Sequence, residues 1–300
     1  MIDSPLMLYV PGLLPKPEAG IHRQALLRCL LAGLEREDAA VAAEVAADRG
    51  CFDLVAWTYD FYGVYRDFAI DADAVDALLE RGGADAVDRA EATSWRRNLL
   101  RRIFLLADRL PALIPHVATK RMELHLRDLR RYLMNHNGIG DHARQMLMMP
   151  LRAAAEAGRP VLLIGHSMGS VIAWDSLWHM THVTRERARI ECLLTMGSPL
   201  GQRFVQQRIA GRRERGPAKY PGNIENWINV AAAGDLTALD PTLADDFAEM
   251  VELGLIRSIE DVGIYNAFRL DGELNPHAEY GYLANGKTAR IIASWWRSPR

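Results

Sequence analysis

The chain has 300 residues, of which 49% are hydrophobic and 25% are charged, and its formal net charge is −2 at pH 7. This length suffices for one large α/β domain or two smaller ones with a substantial core. The near balance of acidic and basic residues excludes a global electrostatic attraction to nucleic acid or to an anionic membrane.

The first predicted element is a short buried strand, Leu6 to Val10, which Pro11-Gly12-Leu13 ends abruptly. A leucine stripe then predicts a helix from about Ile21 to Ala47, and Asp53 to Thr58 has the pattern of a second buried strand. A helix between two such strands is typical of a right-handed crossover in a parallel sheet. The N-terminal part of the chain therefore favours the α/β class.

The middle of the chain begins with an aromatic passage, Tyr59 to Phe68. This passage is equally consistent with the lining of an apolar substrate pocket and with packing that seats helices on the core. Trp95 to Leu106 predicts an amphipathic, basic helix. That helix would either lie on a membrane surface or keep its arginines in solvent on the protein surface, and we favour the second interpretation.

Two further helices precede the most informative stretch. One is marked by Met122, Leu126, Leu129 and Leu133, and the other runs from Asp141 toward Ala157. The second helix contains Pro150, which predicts a kink.

Val161 to Ile164 is too short an apolar run for a helix and predicts a strand buried on both faces. Gly165-His166-Ser167-Met168-Gly169 follows and has the form G-x-S-x-G, and apolar residues recur at helical spacing behind it. This context makes the short pattern specific. Such a turn strains the backbone of its serine, and the flanking glycines let strand and helix pass closely.

Three more strands are predicted after this turn, at Ile190 to Met196, Trp227 to Ala233 and Gly263 to Leu270. Ser198 follows the first of them and, by its position after a strand, is a rival candidate nucleophile. Because Pro199 comes next and lacks a backbone N–H, Ser198 is better interpreted as a turn residue.

GHSMGS between an apolar strand and an apolar helix resembles the nucleophile elbow of the α/β-hydrolase superfamily, particularly its lipase- and esterase-like members. MGSPL at 196–200, NWINVAAAGD at 226–235 and NPHAEYGYL at 275–283 also resemble that group. The resemblance implies a mostly parallel sheet flanked by helices. It is weak from Phe61 to Asn135, where such families carry variable insertions, so we expect an inserted helical cap at about 61–135 in a single domain of residues 1–300.

The resemblance also implies a catalytic triad in the chain order serine, acid, histidine. Ser167 is the candidate nucleophile, and His277, in a loop beyond the last strand, is the candidate base. Asp235, directly after the Trp227 to Ala233 strand, is preferred as the acid, with Asp240 as its rival.

His179 and His182 are less favoured as bases because they lie on or just past the elbow's own helix. His166 is expected to pack beside the site. The oxyanion hole would use the backbone N–H groups of Met168 and Leu13. The resembled family usually has a histidine where this chain has Pro11, so the match at the Leu13 turn is incomplete.

These candidates predict a cofactor-independent serine hydrolase that cleaves a carboxylic ester or thioester, with lipid esters among its candidate substrates, through an acyl-enzyme. Two alternatives stay open: acyl transfer by the same triad, and a non-catalytic binding module on the same fold. The expected partner is a small-molecule substrate rather than nucleic acid. Contact with a membrane surface would come through the cap, and the oligomeric state is left open.

Three cysteines, Cys29, Cys51 and Cys192, are odd in number and far apart in the sequence. A disulfide framework is therefore not expected, whereas a reducing compartment is. No cysteine lies near another cysteine or a histidine at metal-ligand spacing, so no metal site is predicted. The sequence shows neither a secretory leader nor an apolar run that would span a membrane, and we expect a cytoplasmic protein.

Overall fold

The computed structural model describes residues 4–109, 120–186 and 188–298. Six strands form its main sheet: β1 (Leu6–Val10), β2 (Phe52–Leu54), β3 (Val161–His166), β4 (Ile190–Met196), β5 (Ile224–Ala232) and β6 (Ser258–Ile264). Their order is β2-β1-β3-β4-β5-β6, and each neighbouring pair is parallel. A separate antiparallel ribbon joins β7 (Arg269–Leu270) to β8 (Glu273–Leu274). The expected α/β class is confirmed.

Helices connect the strands and cover both faces of the sheet. In chain order they are α1 (Ala19–Glu37), α2 (Ala39–Ala47), α3 (Thr58–Tyr62), α4 (Ala69–Arg81), α5 (Ala86–Ala92), α6 (Trp95–Arg109), α7 (Lys120–Leu133), α8 (Ile139–Glu156), α9 (Met168–His182), α10 (Arg203–Gln206), α11 (Leu243–Asp246), α12 (Ala248–Glu252), α13 (Glu279–Leu283) and α14 (Gly286–Trp296). Short 3-10 turns lie at His136–Gly138 and Gly216–Lys219. None of the helices in the described part of the chain has the length and apolar character needed to cross a bilayer.

Side chains alternate across the sheet, so the central strands contribute to two cores. Leu8 of β1 pairs in register with Leu163 of β3, and both lie in the core that also contains residues of α8 and α9. Tyr9 and Ile164 are the next pair along and lie in the opposite core with α1 and α14. The molecule therefore has three layers, and the carboxyl ends of its parallel strands meet at one edge, where ligands bind in such sheets.

Two predicted boundaries near the N-terminus are wrong. The helix expected from Ile21 to Ala47 is divided at Asp38, which has an extended φ of −156° and accepts a hydrogen bond from the N–H of Val41 as the N-cap of α2. The strand expected from Asp53 to Thr58 ends at Leu54, and Thr58 is the first residue of α3.

The last strand of the sheet lies earlier than predicted, at Ser258–Ile264 instead of Gly263 to Leu270. The sequence of this edge strand lacks a continuous apolar run, because Asp261 lies within it. The Asp261 carboxylate accepts hydrogen bonds from the N–H groups of Leu243 and Ala244, each at 2.9 Å. Asp261 thus caps the short helix α11. A charged residue with this role interrupts the apolar pattern from which a buried strand is predicted.

The described residues of the segment from Phe61 to Asn135 form helices joined by loops, and none of them belongs to a strand. Val75 and Leu78 of α4 belong to the core that contains α1, and Leu129 of α7 belongs to the opposite core. This segment is therefore built into the domain at both ends. Its role as an inserted cap stays a prediction.

The arginines of α6 do not all lie in solvent, contrary to the interpretation favoured from the sequence. Arg97 donates a hydrogen bond to the carbonyl of Leu274 at 2.9 Å, and Arg101 donates one to the carbonyl of Leu239 at 3.0 Å. The first carbonyl belongs to the last residue of β8, and the second lies in the loop between β5 and α11. The inner face of α6 is therefore held by guanidinium groups as well as by apolar packing.

Candidate active site

Ser167 lies at the tight turn between β3 and α9, and its backbone is strained. Its φ is 53° and its ψ is −122°, a combination that residues other than glycine rarely adopt. The turn is fixed from behind because the N–H of Ser167 donates to the carbonyl of Met196 at 2.9 Å. Met196 is the last residue of the neighbouring strand β4, so the sheet itself holds the serine in this conformation.

The two glycines of the turn permit close packing around Ser167. A Cβ atom on Gly165 would lie 2.8 Å from the Cα of Ser170, and one on Gly169 would lie 2.0 Å from the carbonyl oxygen of Val10. Both distances are shorter than real Cβ contacts. The helix α9 can therefore pass β3 and β1 at this distance only if these positions are glycine.

Ser167, His277 and Asp235 form a continuous hydrogen-bonded chain. His277 Nε2 lies 2.9 Å from Ser167 Oγ, and His277 Nδ1 lies 2.8 Å from Asp235 Oδ2. Asp240 is not part of this chain, since its carboxylate accepts hydrogen bonds from the N–H and hydroxyl of Thr242. The structure therefore brings together the three residues preferred from the sequence and leaves out the rival acid.

The carboxylate of Asp235 is fully enclosed and satisfied by hydrogen bonds. Burial alone would raise the pKa of Asp235, but the neighbouring His277 and hydrogen bonds to the carboxylate outweigh burial and hold that pKa below its usual value. The donors besides His277 are the Tyr282 hydroxyl at 2.7 Å, the Thr237 N–H at 2.8 Å and the Ala238 N–H at 3.4 Å. Asp235 is thus ionised at neutral pH and orients the His277 ring.

The other candidates from the sequence lie away from this chain. His182, in the last turn of α9, has its Nε2 2.7 Å from the carbonyl of Tyr220. Because α9 begins just after Ser167 and runs back along the sheet, its last turn lies at the opposite edge. Ser198 is buried, and its hydroxyl lies 2.7 Å from that of Ser170, behind the elbow.

Two backbone N–H groups were predicted to form an oxyanion hole. Met168 is the first residue of α9, so its N–H has no acceptor within the helix. Leu13 follows Gly12, whose Cα lies so close to the elbow that an added Cβ would be 2.8 Å from the Cβ of Ser167. The loop after β1 therefore packs directly against the serine. The role of both N–H groups in catalysis stays a prediction.

The loop that carries Leu13 is held by two aromatic side chains. Trp57 donates from Nε1 to the carbonyl of Pro11 at 2.9 Å, and the Tyr62 hydroxyl accepts from the N–H of Leu14 at 3.0 Å. Pro11, at the position where the resembled family usually has a histidine, thus contributes a carbonyl acceptor. Tyr62 belongs to the aromatic passage noted in the sequence, and here it stabilises the loop.

Other aromatic side chains of that passage pack on one another and on the core instead of lining the site. The Phe61 ring is buried 5.4 Å from the ring of Trp57, and the Arg131 guanidinium of α7 lies 4.4 Å from its centroid. Tyr59 and Tyr65 stack on each other at 4.3 Å with their rings partly exposed. Of the two interpretations that the sequence left open, the contacts favour packing that seats helices on the core.

A cavity of about 150 Å³ lies beside Ser167 and His277. Its walls combine apolar residues with two ion pairs, Lys16 with Glu279 at 2.7 Å and Arg66 with Asp71 at 2.7 Å. A cavity of this size accommodates a group about as large as a benzene ring. The charged walls favour a short or polar group rather than a long acyl chain in this space.

Glu279, which was not identified from the sequence, is a buried carboxylate two residues after His277. It accepts hydrogen bonds from Lys16 Nζ at 2.7 Å, His22 Nε2 at 3.0 Å and the Tyr9 hydroxyl at 3.1 Å. Burial opposes its ionisation, but the neighbouring Lys16 and the hydrogen bond with His22 lower the pKa of Glu279 well below its usual value.

Lys16 lies three residues after Leu13, so its ion pair with Glu279 connects the predicted oxyanion loop to the loop that carries His277. The only signal in the sequence is a single charge within the otherwise uncharged run from Ala278 to Leu283.

His166 supports the histidine loop from the elbow side. Its Nε2 donates to the backbone carbonyl of His277 at 2.9 Å, and its Nδ1 has no hydrogen-bond partner. Burial, together with the nearby His277, lowers the pKa of His166 to about 3. The ring is therefore neutral, with its proton on Nε2.

Gly197, the residue after β4, packs against the triad itself. Its φ is +56°, and a Cβ there would lie 2.8 Å from Asp235 Oδ2 and 3.1 Å from His277 Nδ1. Its position in MGSPL is part of the resemblance, but the sequence alone gives no indication of this contact.

No group of three or more histidine, cysteine, aspartate or glutamate side chains in the described ranges is arranged to hold a metal ion. The cysteines within those ranges are free and buried. The chain matches none of the family models, curated proteins or solved structures with which it was compared.

Proposed function

We propose that this protein is a serine hydrolase of the lipase- and esterase-like α/β-hydrolase type, which cleaves a carboxylic ester or thioester through an acyl-enzyme. The observation that carries the proposal is the hydrogen-bonded chain from Asp235 through His277 to Ser167, with contacts of 2.8 and 2.9 Å. The strained elbow conformation of Ser167 supports it. Nucleophile, base and orienting acid are the minimum set for this chemistry.

In the acylation step, Ser167 Oγ attacks the substrate carbonyl while its proton passes to His277 Nε2. The Asp235 carboxylate stabilises the resulting imidazolium through Nδ1–H. The N–H groups of Met168 and Leu13 would stabilise the oxyanion, and each such donor is worth roughly 3 kcal/mol at the transition state. The bond to the leaving group then breaks, and His277 delivers its proton to the departing alcohol or thiol.

In the deacylation step, a water molecule attacks the acyl carbonyl as His277 Nε2 takes its proton. The second tetrahedral intermediate releases the carboxylic acid and restores the Ser167 hydroxyl. No cofactor enters the proposed sequence, because every proton transfer is made by His277.

The proposal is tested with the Ser167→Ala variant in assays of short p-nitrophenyl ester hydrolysis and of labelling by a fluorophosphonate. Both activities should be lost. The matched control is Ser294→Ala on the exposed face of α14, which should hydrolyse and label as the wild type does. Unchanged hydrolysis by Ser167→Ala would refute the assignment.

The same assays separate the alternative functions. Ester or amide products formed with added alcohols or amines would identify acyl transfer. Resistance to fluorophosphonate together with stoichiometric ligand binding would instead support a non-catalytic module. A panel of acyl chain lengths, as esters and as thioesters, tests whether the charged cavity beside Ser167 limits the substrate to short or polar groups.

A further inference from the structure

The outward side of α6 carries large exposed apolar side chains among its arginines, whereas the outward side of a surface helix is usually polar. Trp95, Leu99 and Leu106 are separated by four and seven residues and therefore share one side of the helix. Their exposed fractions are 70%, 48% and 50%. Arg102 lies in the same stripe and is also exposed. We refer to these four residues as the α6 face.

The helix lies at the edge of the sheet that contains the candidate active site. Its inner residues Arg97 and Arg101 line a cavity of about 430 Å³ together with the Ala231 to Asp235 segment, which covers the end of β5 and the turn after it. Asp235 in turn contacts His277 at 2.8 Å. The outward α6 face therefore belongs to the same edge of the molecule as Ser167.

The charge of α6 restricts what can cover this face. Residues 95–109 contain five arginines and one aspartate. Arg102 is exposed within the α6 face, and Arg96 is exposed beside it. Trp, Leu and Arg on one helix are the composition that inserts at the headgroup level of an anionic bilayer. A symmetric contact with a second copy of the chain would bring the same arginines together, which is electrostatically unfavourable.

We infer that the α6 face docks on the surface of an anionic phospholipid bilayer as a peripheral contact. Trp95, Leu99 and Leu106 enter the interface between headgroups and acyl chains. Arg96 and Arg102 pair with lipid phosphates. This contact uses no step of the proposed hydrolysis and goes beyond it.

The test is co-sedimentation of the full chain with vesicles of phosphatidylcholine, with and without phosphatidylglycerol. The wild type should sediment with the anionic vesicles and not with the zwitterionic ones, and added salt should weaken the binding. Leu99→Gln/Leu106→Gln should remove it. Arg102→Gln should weaken it about fivefold, since each arginine near such a surface contributes on that scale.

The matched control is Val183→Gln, which removes an equally exposed apolar side chain (56%) just after α9, at the opposite edge of the sheet. It should bind vesicles as the wild type does. Thermal unfolding of all variants checks that they are folded. Ser167→Ala should also bind like the wild type, so a failure of the hydrolase assignment and a failure of this inference give different results.

Three results would overturn the inference. The first is that the wild type does not bind anionic vesicles. The second is that Leu99→Gln/Leu106→Gln binds them as tightly as Val183→Gln does. The third is that size-exclusion chromatography shows a dimer for every variant except Leu99→Gln/Leu106→Gln. The α6 face would then be an interface between copies of the chain.

Discussion

The ring of His166 donates a hydrogen bond from Nε2 to the backbone carbonyl of His277 at 2.9 Å. The residue beside the nucleophile in the chain thus fixes the main chain of the candidate base, which is 111 positions away. Because the His166 ring must stay neutral to pack in this buried position, the geometry of the site is linked to the protonation of a histidine outside the triad.

This link makes the stability of the fold depend on pH. The pKa of His166 is about 3 in the folded protein and 6.5 in the unfolded chain, so between these values only the unfolded chain binds the proton. The free energy of unfolding should therefore fall by up to about 1.4 kcal/mol per pH unit as the pH drops through this window. His166→Gln keeps a donor and does not titrate, so its curve should be flatter in denaturant titrations from pH 7 to pH 4. Parallel curves for the two proteins would contradict the prediction.

Substitution of the two candidate acids should have very different effects. Asp235→Asn leaves the shape of the site nearly unchanged but removes the carboxylate that fixes the His277 tautomer, and kcat should fall by about 10⁴-fold on the scale known for such triads. Asp240→Asn should change kcat by less than about twofold, because the Asp240 carboxylate accepts hydrogen bonds from Thr242 and has none with His277. Steady-state kinetics on a soluble ester measures both. A larger loss in Asp240→Asn would reverse the assignment.

A methyl group at residue 197 should disable the site. Gly197→Ala combines a φ of +56° with a Cβ only 2.8 Å from Asp235 Oδ2, so Asp235 and His277 must shift. A displacement of this size should lower kcat by about 100-fold.

The control for this substitution is Gly254→Ala, where φ is +67° and nothing lies within 4 Å of the added Cβ. This variant has the backbone strain of Gly197→Ala without a close contact of the new Cβ. Its stability should therefore fall while its kcat stays the same. Equal kcat values in the two variants would show that the contact at Gly197 is unimportant.

Removal of the Glu279 charge should destabilise the protein. Glu279→Gln leaves the ammonium of Lys16 and the ring of His22 without their buried carboxylate, and loss of one partner of such a pair costs about 3–5 kcal/mol. Urea denaturation should show this loss, whereas Glu252→Gln on the surface should unfold like the wild type.

The double variant Glu279→Gln/Lys16→Met tests whether the cost comes from the unpaired ammonium. It should be less destabilised than Glu279→Gln, because it removes the unpaired ammonium as well. An additive loss would show that the two side chains do not interact.

The sequence was most informative where short-range patterns determine the structure. The strand, glycine turn and helix around Ser167 are local, and the buried strands of a parallel sheet are continuous apolar runs. The contacts of Gly197 and Glu279 depend on which loops meet in space, and no periodicity records that. The strand β6 was displaced in the prediction because Asp261 serves as a cap within it. The solvated arginines expected of α6 are found at Arg96 and Arg102 but not at Arg97 and Arg101, because amphipathicity does not record which polar side chains meet the carbonyls of other loops.

The bridge from Glu279 to Tyr9, Lys16 and His22 has a consequence for biosynthesis. The three donors precede the carboxylate by 270, 263 and 257 residues in the chain, so they are synthesised well before it. During translation the nascent polypeptide therefore carries Ser167 before His277, the candidate base, and before the Glu279 bridge to the β1 loop. The proposed site can therefore be complete only after the segment that carries His277 and Glu279 has been synthesised and has closed onto the N-terminal segment.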